Sequence, residues 1–175
     1  FSEIWSLHKL ERIIIIGCPG IGKSTFSKAF HVITGIELFH LDIMYWNSDK
    51  TVVDKTVFIE RLSGAISKSE WIIDGNYSST MEFRIQSCDT VIFLDYTVEV
   101  CLDGIKERRG KARSDMPWIE NEEDAEFVEF VKNYNSECRP QVLALLEKYS
   151  DKNIVILKNR QKADEFLNDF VVKSR

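Results

Sequence analysis

The chain is 175 residues long, 44% hydrophobic and 29% charged, with a formal net charge of -5. That length suits one domain, residues 1–175, with a core large enough to need no disulfide or metal staple, and the composition is that of a soluble globular protein. The acid excess argues against a broad nucleic-acid footprint, which needs a basic face, and no apolar run approaches the roughly 18 residues of a membrane span.

Phe1–Leu10 lacks a signal-peptide hydrophobic region. Cys18, Cys88, Cys101 and Cys138 form no C-x-x-C pair and read as reduced thiols of a cytoplasmic protein. Arg12–Ile16 is a short β-branched run of the kind buried on both faces in a parallel sheet. Gly17–Gly22 breaks it, and Lys23–Thr34 follows as a helix with Phe26, Ala29 and Phe30 on one side and Gly35 as the stop. Glu37–Leu41 is a second strand. Asp54–Lys68 carries Val57, Phe58, Leu62, Ala65 and Ile66 at helical spacing. Strands follow at Trp71–Ile73 and Thr90–Leu94, and a helix at Val98–Arg109. Gly110–Glu123 is polar, contains Pro117, and reads as a mobile loop. Helices are expected at Glu122–Tyr134 and Pro140–Tyr149, the second opened by a proline whose missing N–H costs nothing there. Asn153–Leu157 is a fifth strand, and Ala163, Phe166, Leu167, Phe170 and Val171 mark a last helix. Apolar strands alternating with helices predict a doubly wound α/β sheet.

Gly17-Cys18-Pro19-Gly20-Ile21-Gly22-Lys23-Ser24 matches G-x-x-x-x-G-K-[ST] in full. Glycines permit tight turns with positive φ and bring backbone close to phosphate oxygens. Successive N–H groups and the start of the next helix form an anion cradle. The pattern predicts that Gly17–Thr25 holds the triphosphate of ATP, with Lys23 on the β- and γ-phosphates and the Ser24 hydroxyl on Mg²⁺. A buried strand before it and an amphipathic helix after it supply the context an ordinary glycine turn would lack.

Ligands of a parallel sheet sit beyond the carboxyl ends of its strands. Asp42, Asp74 and Asp95 each follow an apolar run there. A carboxylate so placed can serve Mg²⁺, orient or deprotonate an acceptor hydroxyl, or cap the next turn. Phosphoryl transfer also needs positive charge around the moving group. Arg108, Arg109, Lys111 and Arg113 cluster at a helix–loop boundary that could close over the phosphates, and Arg139 follows before a helix. Arg84 and Arg160 are weaker candidates, and a solvated basic surface is the plain alternative. Tyr45, Trp46 and Tyr77 lie past strand ends, suited to stacking on a ring or to packing. His8, His31 and His40 show no metal spacing and read as structural.

These segments together resemble a family. Ile13–Thr25, His40-Leu41-Asp42 with Tyr45-Trp46, Trp71–Tyr77, Asp89–Asp95, Lys106 with Arg108-Arg109, and Arg139-Pro140 look like the bacterial topology modulation, or FlaR-related, proteins, across about residues 11–170. That family is similar to adenylate and shikimate kinases. The resemblance implies a P-loop NTPase, a three-layer α/β/α sandwich around a five-stranded parallel sheet of order 2-3-1-4-5. It implies a nucleoside-monophosphate-kinase-like layout, with an acceptor-binding region at about 42–70 and an Arg-bearing lid at about 108–123. It further implies that Asp74 rather than Asp95 supports Mg²⁺ through water, that Arg108 and Arg109 open the lid, that Arg139 reaches back from its far side, and that Lys158–Lys162 passes near the adenine. The chain departs from the pattern at Ser79 and Gly104, where arginines on acceptor phosphate and on adenine are usual.

The expected activity is transfer of the ATP γ-phosphate to a small acceptor, with Mg²⁺. Lys23, Asp42, Arg108, Arg109, Arg113 and Arg139 are its catalytic candidates. Gly17, Pro19, Gly20, Ile21, Gly22, Lys23, Ser24, Thr25, Arg108 and Arg160 are candidates for binding nucleotide, and Ser24 and Asp74 for the metal. The competing expectations are a nucleotide-binding regulator of DNA topology or gene expression, and an ATPase without an acceptor.

Overall fold

The structure is a computed structural model and describes residues 10–173. His8 and all but the last residue of the Phe1–Leu10 segment, whose expected lack of a signal peptide is a sequence reading only, lie outside that range.

Five parallel strands, β1 (Arg12–Gly17), β2 (Leu38–His40), β3 (Trp71–Asp74), β4 (Thr90–Leu94) and β5 (Asn153–Leu157), form one sheet of order β2-β3-β1-β4-β5. Eight helices accompany them among the described residues: α1 (Lys23–Thr34), α2 (Leu41–Tyr45), α3 (Lys55–Ile66), α4 (Ser78–Ser87), α5 (Val98–Arg108), α6 (Ala125–Glu137), α7 (Arg139–Lys148) and α8 (Arg160–Lys173).

β1 lies at the centre because its four consecutive isoleucines suit neither an edge nor a solvated face. Side chains alternate across a strand. Ile13 and Ile15 therefore meet Phe26 and Phe30 of α1, Cys101 and Ile105 of α5, Val131 of α6, and Phe166 of α8. Ile14 and Ile16 point the other way, into Leu41 of α2, Phe58 and Leu62 of α3, Met81 and Ile85 of α4, and Val142 of α7. All four isoleucines are fully buried. The result is the expected sandwich of helices on both sheet faces.

Local signals end the helices where the sequence places them. Gly35, at φ 73°, donates its N–H to the His31 carbonyl at 2.8 Å and closes α1. Asp54 and Asp124 accept from Thr56 N and Phe127 N and open α3 and α6. Two helices escape the sequence pattern. α2 has only five residues, and α4 turns Thr80 and Arg84 inward beside Met81 and Ile85, which blurs its apolar period.

Because all the strands are parallel, Gly17, His40, Asp74 and Leu94 finish at one edge of the sheet. Functional side chains from β1, β2 and β3 converge there.

Candidate active site

β1 ends at Gly17, which is fixed from three sides. Its amide donates to Asn76 Oδ1 at 3.1 Å, and its carbonyl accepts from Asn76 Nδ2 at 2.7 Å and Lys23 Nζ at 2.8 Å. Gly20 and Gly22 hold φ of 83° and 98°, a region that L side chains avoid. Ile21 N reaches back to Cys18 O at 3.2 Å and tightens the turn. α1 then starts without a side-chain cap and with no acid in its first turn. Its first N–H groups have no intrahelical partner and carry the positive end of the helix dipole, so the loop fits a polyphosphate. Lys23 adds the point charge. Nζ bonds Gly17 O and, at 3.1 Å, Cys18 O; burial lowers its pKa, opposed by the nearby Asp42 and Asp74.

The three strand-end carboxylates meet three fates. Asp42, in α2, accepts from Tyr77 Oη at 2.6 Å. Burial raises its pKa, and the Tyr77 hydrogen bond and Lys23 oppose the rise. Asp74 is buried and accepts from His40 Nδ1 at 2.9 and 3.0 Å, across the β2–β3 register that pairs those residues. A carboxylate only accepts, so the geometry assigns the His40 proton to Nδ1. Asp95 sits in a separate cleft. Burial alone would raise its pKa, but Arg139, at 2.8 and 2.9 Å, and Lys158, at 2.5 Å, hold it below the usual carboxylate range.

Arg139 is therefore anchored on Asp95 and lines that second cleft, away from the phosphate loop. Arg108, Arg109 and Arg113 do border the loop cavity, each with an acidic partner from its own segment. Arg108 meets Glu120 at 2.6 Å and lies over the Phe127 ring, and Arg109 meets Glu123 at 2.6 Å. Arg113 contacts Asp115 through Nη2 at 2.6 Å and Nε at 3.2 Å, and Glu120 through Nη1 at 3.2 Å. Gly110 N donates to Glu120 O at 2.7 Å. Gly110–Glu123 lacks helix and strand, as expected, yet it is crossed by ion pairs rather than free-standing.

A cavity of about 1150 Å³ joins these parts. Pro19–Thr25, Asp42, Trp46, Asn76, Tyr77, Arg108, Arg109, Arg113, Asp115 and, at the start of α8, Arg160 are among the residues that line it. Gly17, Asp74 and Arg139 do not line it. Trp46 meets Trp118 of the 110–123 segment, ring centroids 5.9 Å apart, and Tyr45 packs on Tyr77 at 4.8 Å.

Several contributors have no sequence pattern of their own. Asn76 lies in the Asp74–Tyr77 segment, but no motif foretells its grip on Gly17. Arg84, fully buried, donates to the carbonyls of Gly75, Asn76 and Tyr77 and holds the chain that carries Tyr77, whose φ is 36°. His40 holds Asp74. Asp115 accepts from Ser24 Oγ at 2.6 Å. Burial would raise the Asp115 pKa, but Arg113 and Ser24 hold it well below the carboxylate range. The departure at Gly104 has a steric ground, since a Cβ there would lie 1.9 Å from Gly20 O. Ser79 is exposed in the first turn of α4.

Solved structures share this fold. The fold is that of the small-molecule P-loop kinases. A shikimate kinase from Acinetobacter baumannii in complex with shikimate aligns with a TM-score of 0.61 at 15% identity, over 95% of this chain and 93% of that one. A gluconokinase from Sinorhizobium meliloti 1021 aligns at 0.56 and 13% identity, over 93% and 90%. A shikimate kinase from Bacteroides thetaiotaomicron aligns at 0.54 and 19% identity, over 94% and 98%. No family model matches the sequence, and no curated protein matches it. Among the described residues no helix is long and apolar enough to cross a membrane.

Proposed function

We propose that the chain is an ATP-dependent kinase of a small hydroxyl- or phosphate-bearing acceptor. The observation that carries this reading is a single cavity holding both an uncapped, lysine-bearing helix start and an Asp42–Tyr77 pair. The first is suited to a triphosphate and the second to an acceptor.

Lys23 and the amides of Gly20–Thr25 bind the phosphates. Ser24 faces Mg²⁺, which when bound would neutralise charge on the phosphate oxygens; Asp74, named for the metal from the sequence, is held by His40 and does not border the cavity. Asp42 orients the acceptor hydroxyl and takes its proton. Residues 42–70 carry the acceptor side, where Trp46 and Tyr77 offer ring faces. Arg108 and Arg109 exchange their acidic partners for the transferring phosphoryl group, Arg113 gives up Glu120 while keeping Asp115, and the three exclude water. Arg160 borders the base.

The similarity to shikimate kinases and a gluconokinase favours an acceptor over simple hydrolysis. The test is ADP formation from ATP–Mg²⁺ across nucleoside monophosphates, nucleosides and shikimate-like alcohols. Acceptor-dependent ADP supports the reading. Phosphate release at one rate whatever the acceptor shows an ATPase and refutes it.

A further inference from the structure

Ser24 is the residue the loop pattern gives to the metal, yet its hydroxyl is bonded to none of the three strand-end carboxylates. Its proton goes to Asp115 Oδ2, at 2.6 Å, a lid residue 91 positions away and only 2% exposed. Asp74 is occupied by His40 and does not border the cavity. We propose that Asp115 is the metal-side carboxylate of this site: it positions the Ser24 hydroxyl for Mg²⁺ and ties the lid to the phosphate loop. The inference rests on the kinase reading above.

A hydroxyl has one proton and two lone pairs. Donation to Asp115 occupies the proton and leaves the oxygen's lone pairs to a cation. The same carboxylate takes Arg113 through Nη2 and Nε. Arg113 is therefore delivered to the serine that faces the metal, so that ordering of the lid and metal binding favour one another. Carboxylates that hold a metal-facing side chain in place typically set metal affinity by about 10- to 100-fold. Asp115 is a positioning residue. It acts through Ser24 and Arg113.

Calorimetric titration of ATP into the full chain, with Mg²⁺ and with EDTA, tests this. In the unmodified protein ATP affinity should rise with Mg²⁺. Asp115→Asn should lose about 10- to 100-fold of that rise, with ATP affinity in EDTA unchanged. Asp115→Glu, which keeps the charge, should retain most of the rise. In a Ser24→Ala background the Asp115→Asn change should have little further effect, because the two act as a unit.

Four results overturn the proposal. They are tighter Mg²⁺-ATP binding in Asp115→Asn, which would make the contact a latch that competes with metal; a parallel fall with and without Mg²⁺, which would make it merely structural; no change; and loss of the Mg²⁺ response in Asp74→Asn alone. Failure of the unmodified protein to bind ATP, or binding untouched by Lys23→Ala, would instead remove the kinase reading itself.

Discussion

Gly20 and Gly104 meet backbone to backbone. A Cβ on Gly104 would lie 1.9 Å from the Gly20 carbonyl oxygen, and one on Gly20 would lie 2.1 Å from the Cys101 carbonyl oxygen. Helix α5 is thus seated directly on the phosphate loop, a spacing that any side chain at either position destroys.

Gly104→Ala should therefore destabilise the protein. Overpacking of this kind costs about 1–3 kcal/mol, which exceeds the roughly 1 kcal/mol that alanine gains over glycine in a helix. Urea unfolding should show a lower midpoint, and ATP affinity should fall with it. A variant as stable as the parent would mean that α5 can withdraw freely from the loop.

Lys23→Ala removes the ammonium that spans Gly17 O and Cys18 O. Turnover should drop about 10²- to 10³-fold or more, the scale seen when one preorganised transition-state donor is lost, with ATP binding weakened as well. Unaltered turnover would falsify the assignment of the loop.

Asp42 has its pKa raised by burial above the ordinary carboxylate value, against the pull of Tyr77 and Lys23. Acceptor activation needs the ionised form. As pH rises, kcat/KM for the acceptor should climb through a limb displaced upward from that of a free aspartate. Asp42→Asn should abolish the limb and lower the rate about 10²- to 10⁴-fold. A limb that persists in that variant would belong to another group.

Arg84 satisfies three backbone carbonyls from a fully buried position. Arg84→Met should cost about 3 kcal/mol or more, since each buried acceptor left unpaired costs roughly 1–3 kcal/mol. Arg84→Lys should not rescue it, because a compact ammonium cannot reproduce the spread of the guanidinium. Thermal melts of both variants measure this directly.

Arg108→Ala should lower kcat more than ATP affinity, whereas Arg139→Ala should leave kcat nearly intact, because Arg139 is spent on Asp95 outside the cavity. Steady-state kinetics of the pair separates the two arginines. Equal losses in kcat would bring Arg139 back to the phosphates.

The first strand, the glycine turn and the helix after it were legible in the sequence, because four isoleucines read as a buried strand and the glycine motif marks its end, while the strand order came from the resemblance to FlaR-related proteins. α1, β4 and β5 fall on their expected bounds. What stayed hidden was hidden for physical reasons. Asp115 and Glu120 lie in a segment whose polarity looked like solvent exposure, and only the folded chain shows those charges turned on Arg108 and Arg113. His40 carried no metal spacing, and its task, holding Asp74, depends on the β2–β3 register. Arg84 reads as a weaker candidate for the phosphoryl group, and its work on three backbone carbonyls shows only once α4 turns it inward. The resemblance to FlaR-related proteins has Arg139 reaching back from the far side of a lid, while the ion pair with Asp95 holds it in the second cleft, outside the loop cavity.

The lid meets solvent already self-neutralised, with Arg108 and Arg113 sharing Glu120 and Arg109 held by Glu123. Recruiting those guanidiniums to a ligand is therefore an exchange of anions rather than a capture by bare charge. A single weak anion has too little to offer against carboxylates already in place, while a triphosphate with several charged oxygens can replace them together. On the kinase reading proposed above, the resting pairs would set a threshold, so that the mouth discriminates by how much negative charge arrives at once.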